Sequence, residues 1–477
     1  MGAAQYRDGL KPAVEETARR YAGRLLSAAG LADAAGAVEL PDEHPVVAAA
    51  RCGLMMLTGD AGLEAELCPA PIAACADGVL AALAAVAPPA AFNGLRGSQL
   101  LTERAAITGH ARNGAISPNG SCRLLRASDG RIALNLPRAD DWGLLEAWLE
   151  TEVGSGWDGL AERVAVRSVG SLVERGRTLG LAVADAVPFS TCGRGSRVAG
   201  GEGLLNGLAL SRPCGPPSPA RGRGEKPPLV VDLSSLWAGP LCTHLLQCCG
   251  AEVIKIESLH RPDGARHGVA AFFDLMNAGK RSVALDFGSG EGRAALLALL
   301  RRADIVVEAS RPRALRQLGI DAEALVAADP RKTWISLTGY GRTEPNAQWI
   351  AYGDDAGVAG GLSAQLHAAT GRWLICGDAI ADPLAGLHAA FAAWSGWQRG
   401  GGGLVDIALV DVVRGCADFE TAGAPHARRR QWMQQLIASR QRVQAPQART
   451  AVRAAALLGA DTDAVLAGLG IELARAC

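Results

Sequence analysis

The stretch "VVDLSSLWAGPLCTHLLQCCGAEVIKIES", Val230–Ser258, decides the fold. The run VVDL has the branched aliphatic residues of a buried strand, and the turn after it contains Gly239-Pro240. PLCTHLLQCCG then repeats its apolar residues at helical spacing, and AEVIKIE reads as a second strand. Strand, turn, helix and strand in that order make one β-α-β unit of a parallel sheet.

The alternation continues downstream. RSVALDF, DIVVEAS, TWISLTGYG and LVDIALVD read as strands, and SGEGRAALLALLRRA and DPLAGLHAAFAAWSGWQ read as helices. ALRQLG and DAEALVAAD are short helices, and Gly400–Gly403 a turn. Strands separated by helices predict an α/β fold with a doubly wound, Rossmann-like parallel sheet over residues 229–415 and a helical tail over 416–477. Upstream, residues 1–98 are Ala-rich and helical in pattern. Residues 99–195 form a smaller α+β domain: SCRLLRASDGRIALNLP is a hairpin turning at Ser128-Asp129-Gly130, DDWGLLEAWLETEV is a helix with Asp caps, and SLVERGRTLGLAVADAV is a helix followed by a strand. Residues 196–228, rich in Gly, Pro and Arg, are a linker.

With 477 residues the chain has room for two or three domains. Its formal net charge of +0 gives no basic field for nucleic acid or an anionic membrane. PIAACADGVLAALAAVAPPAA is mostly Ala and contains Asp77, so it reads as a packed helix and not a membrane span. Met1–Leu10 is polar and lacks a signal-peptide pattern. The 12 cysteines show no paired C-x-x-C, and the histidines have no metal-ligand spacing. A reduced, cytoplasmic, metal-free protein is the expectation.

Ligands of open α/β sheets lie beyond the carboxyl ends of the strands, where the turn Ser234–Pro240 falls. Gly239 permits close backbone approach, and Pro240 starts a helix whose N-terminus favours anions; a plain strand-helix turn is the alternative. Asp354-Asp355 is either a coupled acidic pair with one raised pKa or a helix start. His367 is a candidate base or a surface residue, and the basic run His426–Arg430 is a polar helix or a nucleotide-contacting patch.

Residues 229–412 resemble the amino-terminal half of the family III CoA-transferases, the superfamily of carnitine CoA-transferase, formyl-CoA transferase and α-methylacyl-CoA racemase. VVDLSSLWAGPLCTHLL, GAEVIKIES, NAGKRSVALDFGSGEGR, ADIVVEASRPRALRQLGID, ISLTGYGRTEP, GDDAGVAGGLS, CGDAIADPLAGLHAA and VDIALVDVV carry the resemblance, in order. LLGADTDAVLAGLGI resembles the family's closing segment. The hairpin and LVERGRTLGLAVADAV resemble its small domain, which there follows the parallel domain and here precedes it. That implies a circular permutation; fusion to an unrelated helical domain is the alternative.

The resemblance implies that acyl-CoA is bound by Ser235, Trp237, Ala238, Gly239 and Pro240, by Asn277, Lys280 and Arg281, and by Arg311, Gly339 and Tyr340. Lys280 and Arg281 suit phosphates, or form a solvated basic loop. Ala309 and Gln317 depart from the family's Asn and Arg or Lys. Family transferases use an aspartate nucleophile that forms an acyl anhydride and then an aspartyl-CoA thioester. The matching loop here, AQLHAATGRWLIC, is shorter and has no Asp or Glu. Asp378, Asp355 and Asp354 are then the candidate carboxylates for CoA transfer to a carboxylic acid. Asp378 with His367 would serve a racemase, whose His position here is Tyr352; Asp378 is otherwise a helix cap. A non-catalytic acyl-CoA-binding subunit is the third reading. No cofactor beyond the CoA moiety of the substrate is implied. Family members resemble interlocked homodimers; a homodimer is the expected assembly here, whether or not a permuted chain keeps that threading.

Overall fold

The computed structural model describes residues 16–154, 156–186 and 226–471. Residues 196–225 of the proposed linker lie outside the described residues. The hairpin forms where the turn chemistry placed it. β1 (Cys122–Arg126) pairs antiparallel with β2 (Arg131–Asn135), and β2 with β3 (Ala182–Asp185). DDWGLLEAWLETEV breaks into two short helices, Ala139–Trp142 and Leu145–Leu149, on either side of Gly143-Leu144.

The second sheet is parallel and six-stranded: β4 (Leu229–Leu233), β5 (Glu252–Ser258), β6 (Arg281–Leu285), β7 (Ile305–Glu308), β8 (Thr333–Thr338) and β9 (Gly403–Ala408), in the order β6-β5-β4-β7-β8-β9. The order reverses between β4 and β7, so their carboxyl-end loops diverge and leave a crevice there. LVDIALVD is a strand only as far as Ala408, because Leu409–Ala417 is already helical.

Strand periodicity assigns the faces. Val230 packs with the helix Ala238–Cys248, whose Ala238, Leu241, Cys242, Leu245 and Leu246 recur at helical spacing, while Val231 packs on the opposite face with Leu296 and Leu299. The amino-terminal helices do not form a separate body. Tyr21, Leu25, Ile72 and Leu83 share one core with Leu241, Leu384 and Phe391. Tyr21 Oη and His388 Nε2 lie 2.8 Å apart, and the Trp394 indole donates to the Val86 carbonyl. Nor is the tail free. Arg428 is buried, donating to the carbonyl of Pro69 and the side chain of Gln365, and Arg429 pairs with Glu66, so much of the basic run is used inside the fold. Further on, Arg449 grips buried Glu103, and Asp461 accepts from the Ser282 amide on β6. None of the helices among the described residues is long and apolar enough to cross a membrane, and their cysteines are free thiols, all buried except half-buried Cys248.

The small sheet has two faces. Ile132, Leu134 and Val183 point to its own helices, whereas Cys122, Leu124, Ala133 and Ala184 pack against Val358 and Ile375 of the parallel half. The described residues between 99 and 186 therefore pack directly on residues 229–412, the arrangement a permuted chain requires; a distant placement would have excluded it.

At the carboxyl end of β4, Asp232 is buried and takes hydrogen bonds from Ser234, Thr243 and Lys280. The Lys280 ammonium is fully engaged, bonding also to the Pro240 carbonyl, Thr243 Oγ1 and Asn277 Oδ1 at 2.8–3.0 Å. Lys280→Met would leave the Asp232 carboxylate buried without its main counter-charge. A destabilisation of about 3–5 kcal/mol by urea unfolding is expected, against less than about 1 kcal/mol for surface Arg281→Met.

Candidate active site

The carboxylates that the sequence singled out do meet, and the amino-terminal segment completes the cluster. Asp354 and Asp355 open the helix Gly353–Ala359, whose first residue packs so closely on Ala379 that a side chain could not fit there. Asp378 and Asp382 lie just before and in the first turn of the helix Ala381–Gln398. This helix packs on Ala238–Cys248; a Cβ at Gly386 would lie 2.6 Å from the Ala238 carbonyl. The four acids thus gather beside the β4 turn.

Each carboxylate has a different environment. Arg104, on the short helix Glu103–Thr108, forks onto Asp378 with hydrogen bonds of 2.8 and 2.5 Å. His110 Nδ1 lies 3.2 Å from the same carboxylate. Burial alone would raise Asp378, but the Arg104 hydrogen bonds and charge, with His110, hold it down at about 2. Asp354 accepts from the Ala379 amide and from Asn119; burial, opposed by Arg104 and reinforced by Asp378, lifts it to about 6. Asp355 accepts from the Tyr352 amide and from Asn135, which β2 turns toward it because residues 133 and 135 share one face of the strand. Its second oxygen is buried without a hydrogen-bond partner among the described residues, and burial pushes the carboxyl up to about 7. Asp382 is only half-buried, with no hydrogen bond to its carboxylate among the described residues; desolvation and the neighbouring acids raise it to about 7, against the pull of Arg104.

Several sequence-selected residues lie elsewhere or act differently. His367 is not in a loop: Leu362–Thr370 is a helix, and the His367 ring stacks on Trp373 at 4.3 Å. The imidazole that meets a carboxylate is instead His110. Lys280 and Asn277 are buried and bonded within the fold, and Arg281 pairs with Glu252, so the NAGKRS segment braces β4 and does not offer free cations to a phosphate. Gly239 accommodates the chain's own Ser234, with which a Cβ would collide. Ala238 and Pro240 are buried in the first helical turn, and Trp237 is buried under Arg104. Ser235 and Leu236 are exposed, with Leu236 held at φ +70° and its amide bonded to Asp263. Arg311 is exposed at the crevice end of β7. Gly339 abuts Ala351, and the Tyr340 ring meets Trp349 edge-on; Arg177 lies over both rings, beside a cavity of about 490 Å³.

Arg104, His110, Asn119, Asn135 and Asp382 were missed in the sequence. Asp382 stood inside a recognised block, CGDAIADPLAGLHAA, four residues after the aspartate chosen there. The other four sit 220–274 positions from their partners, on a short helix, in loops or at a strand end, without local signature.

Residues 228–455 match the family model described as CoA-transferase family III. This part of the chain is similar to members of that family. A succinate–glutarate CoA-transferase of Agrobacterium fabrum is 31% identical over 209 residues, 39% of this chain and 52% of that protein. A formyl-CoA:oxalate CoA-transferase of Escherichia coli is 32% identical over 166 residues, 33% of this chain and 40% of that protein. Among solved structures, a CaiB/BaiF family protein from Brucella suis is 29% identical with a TM-score of 0.37, covering 46% of this chain and 58% of that one. The chain spans about half or less of the length of these curated relatives. All of the family match falls in the parallel domain and tail, whereas Arg104, His110, Asn119 and Asn135 come from outside it.

The raised carboxyl gives a sign-definite prediction. Asp355 holds its proton to about 7 when folded and ionises near its ordinary value when unfolded. Between those pH values the folded state binds more protons, so stability falls as pH rises. Asp355→Asn removes this loss. Its stability relative to the parent should improve by a few kcal/mol, in order of magnitude, from pH 4 to pH 8 in urea titrations; a pH-independent difference would contradict the assignment.

Proposed function

We propose that this chain transfers CoA between an acyl thioester and a carboxylic acid, with Asp382 as the attacking carboxylate. The family match and the relatives named as CoA-transferases support the reaction class. One observation supports the residue: of the four clustered acids, only Asp382 is not fully buried, and its carboxylate has no hydrogen bond among the described residues. Asp378 is neutralised by Arg104, and Asp354 and Asp355 are buried against amides.

In this reading an Asp382 oxygen adds to the thioester carbonyl carbon, the C–S bond breaks, and CoA leaves as thiolate. The thiolate then attacks the Asp382 carbonyl carbon of the mixed anhydride and releases the first acid. An acceptor carboxylate repeats the exchange in reverse, restoring Asp382 and carrying CoA away as a new thioester. The CoA phosphates would meet the exposed cations Arg311 and Arg313 beyond β7, and the pantetheine arm would pass Ser235 and Leu236. The site is assembled within one chain; a homodimer, tested by light scattering over a wide concentration range, remains our proposal for the assembly.

The His110–Asp378 contact favours a second reading, α-proton exchange on an acyl-CoA, with an imidazole oriented by a carboxylate as the base. Hydroxylamine separates the two. With acyl-CoA and no acceptor, transfer predicts a hydroxamate mapped to Asp382, its loss in Asp382→Asn, and a fall in turnover of at least about a thousandfold. Activity should rise with pH through about 7, as this carboxyl ionises. No adduct, with α-deuterium washing into the thioester, would overturn transfer in favour of proton exchange.

A further inference from the structure

Arg104 is more than a counter-ion. Its Nε and Nη2 are occupied by Asp378, but Nη1 has no hydrogen-bond partner among the described residues, and the side chain is 19% exposed while Asp378 is 0% exposed. The guanidinium carbon lies 5.0 Å from the Trp237 ring centroid, so the plane of the group is backed by the β4 turn. The helix bearing it is fastened at its first residue, where Glu103 receives two hydrogen bonds from the Arg449 guanidinium at 2.7 and 2.9 Å. The charges of Asp354 and Asp382 also act on it. The result is a cation fixed from three sides, with one donor nitrogen left over, close enough to Asp382 for their charges to interact.

We propose that Arg104 Nη1 is the electrophilic donor of the reaction, hydrogen-bonding the thioester carbonyl oxygen of bound acyl-CoA. Preorganised donors aimed at developing charge need no rearrangement during the reaction, and they act most strongly where water is excluded. Asp378 then has a defined part: it fixes the guanidinium in place and leaves one donor for the substrate. The assignment rests on the proposed function for the location of the acyl group, but not on which bond breaks. When Asp382 adds to the carbonyl carbon, the C=O π electrons move onto oxygen, and they return as the C–S bond breaks and thiolate leaves. When an α-proton is removed instead, the same oxygen takes the enolate charge and gives it up on reprotonation.

The test uses acetonyl-dethio-CoA, in which a methylene replaces the thioester sulfur and the carbonyl is labelled with carbon-13. This probe cannot be cleaved, so its behaviour is independent of any adduct at Asp382; hydroxylamine trapping judges that separately. Bound to the wild-type protein, the carbonyl stretch in isotope-edited infrared should shift to lower frequency than in water. The shift should be lost in Arg104→Met and partly kept in Arg104→Lys. In turnover, Arg104→Met should lower kcat about a hundredfold or more, with KM for acyl-CoA changed less than about threefold. Should Arg104→Met fail to fold, the wild-type shift and Arg104→Lys still decide. An unshifted carbonyl in wild type, or an equal shift in Arg104→Lys or Arg104→Met, overturns the proposal.

Discussion

The forked pair between Arg104 and Asp378 is the constraint on which the rest of the site depends. It joins residues 274 positions apart, with the carboxylate fully buried and the guanidinium largely so. Such a pair is worthwhile only when its geometry is good and its remaining groups are satisfied. Here His110 takes a further position on Asp378, and Trp237 backs the guanidinium. With Asp378 held ionised, its charge adds to burial in holding protons on Asp354 and Asp382. One ion pair therefore both closes the interface between the two parts of the chain and divides four similar carboxyls into different chemical roles.

The fold delivers these groups through simple periodicities. Alternation along β2 turns Asn135 away from the small domain's own core and toward Asp355. The tight contacts at Gly353 and Gly386 bring two helices with acidic first turns together beside the β4 turn. The buried Asp232–Lys280 network holds that turn in shape from below. The carboxyl-terminal strap, through Arg449 and Asp461, ties the Arg104 helix and the β6 edge to the same body.

Much of the fold was legible because it is written in local pattern. Branched runs and helical spacing located all six parallel strands, and Ser128-Asp129-Gly130 located the hairpin. The site was less legible. Aspartates in resemblance-bearing blocks could be named, but Asp378 and Asp382 differ only in what faces them, and their partners come from a remote segment. NAGKRS read as a phosphate-binding patch because burial is invisible in a short charged motif; Lys280 is consumed by Asp232. His367 was placed in a loop because the match to a glycine-rich segment outweighed the helical spacing of LSAQLHAAT. The tail's basic run was read as surface or ligand patch, whereas Arg428 needs Pro69 and Gln365 across the fold.

The central claim is that two distant segments of one chain build a single acyl-CoA pocket around Arg104, Asp378 and Asp382. A crystal structure of the full-length protein with a non-cleavable acyl-CoA analogue tests it most directly. The account predicts the analogue's carbonyl carbon within roughly 3–3.5 Å of an Asp382 oxygen and its oxygen within hydrogen-bond distance of Arg104. An analogue bound with its acyl end away from this cluster would contradict it.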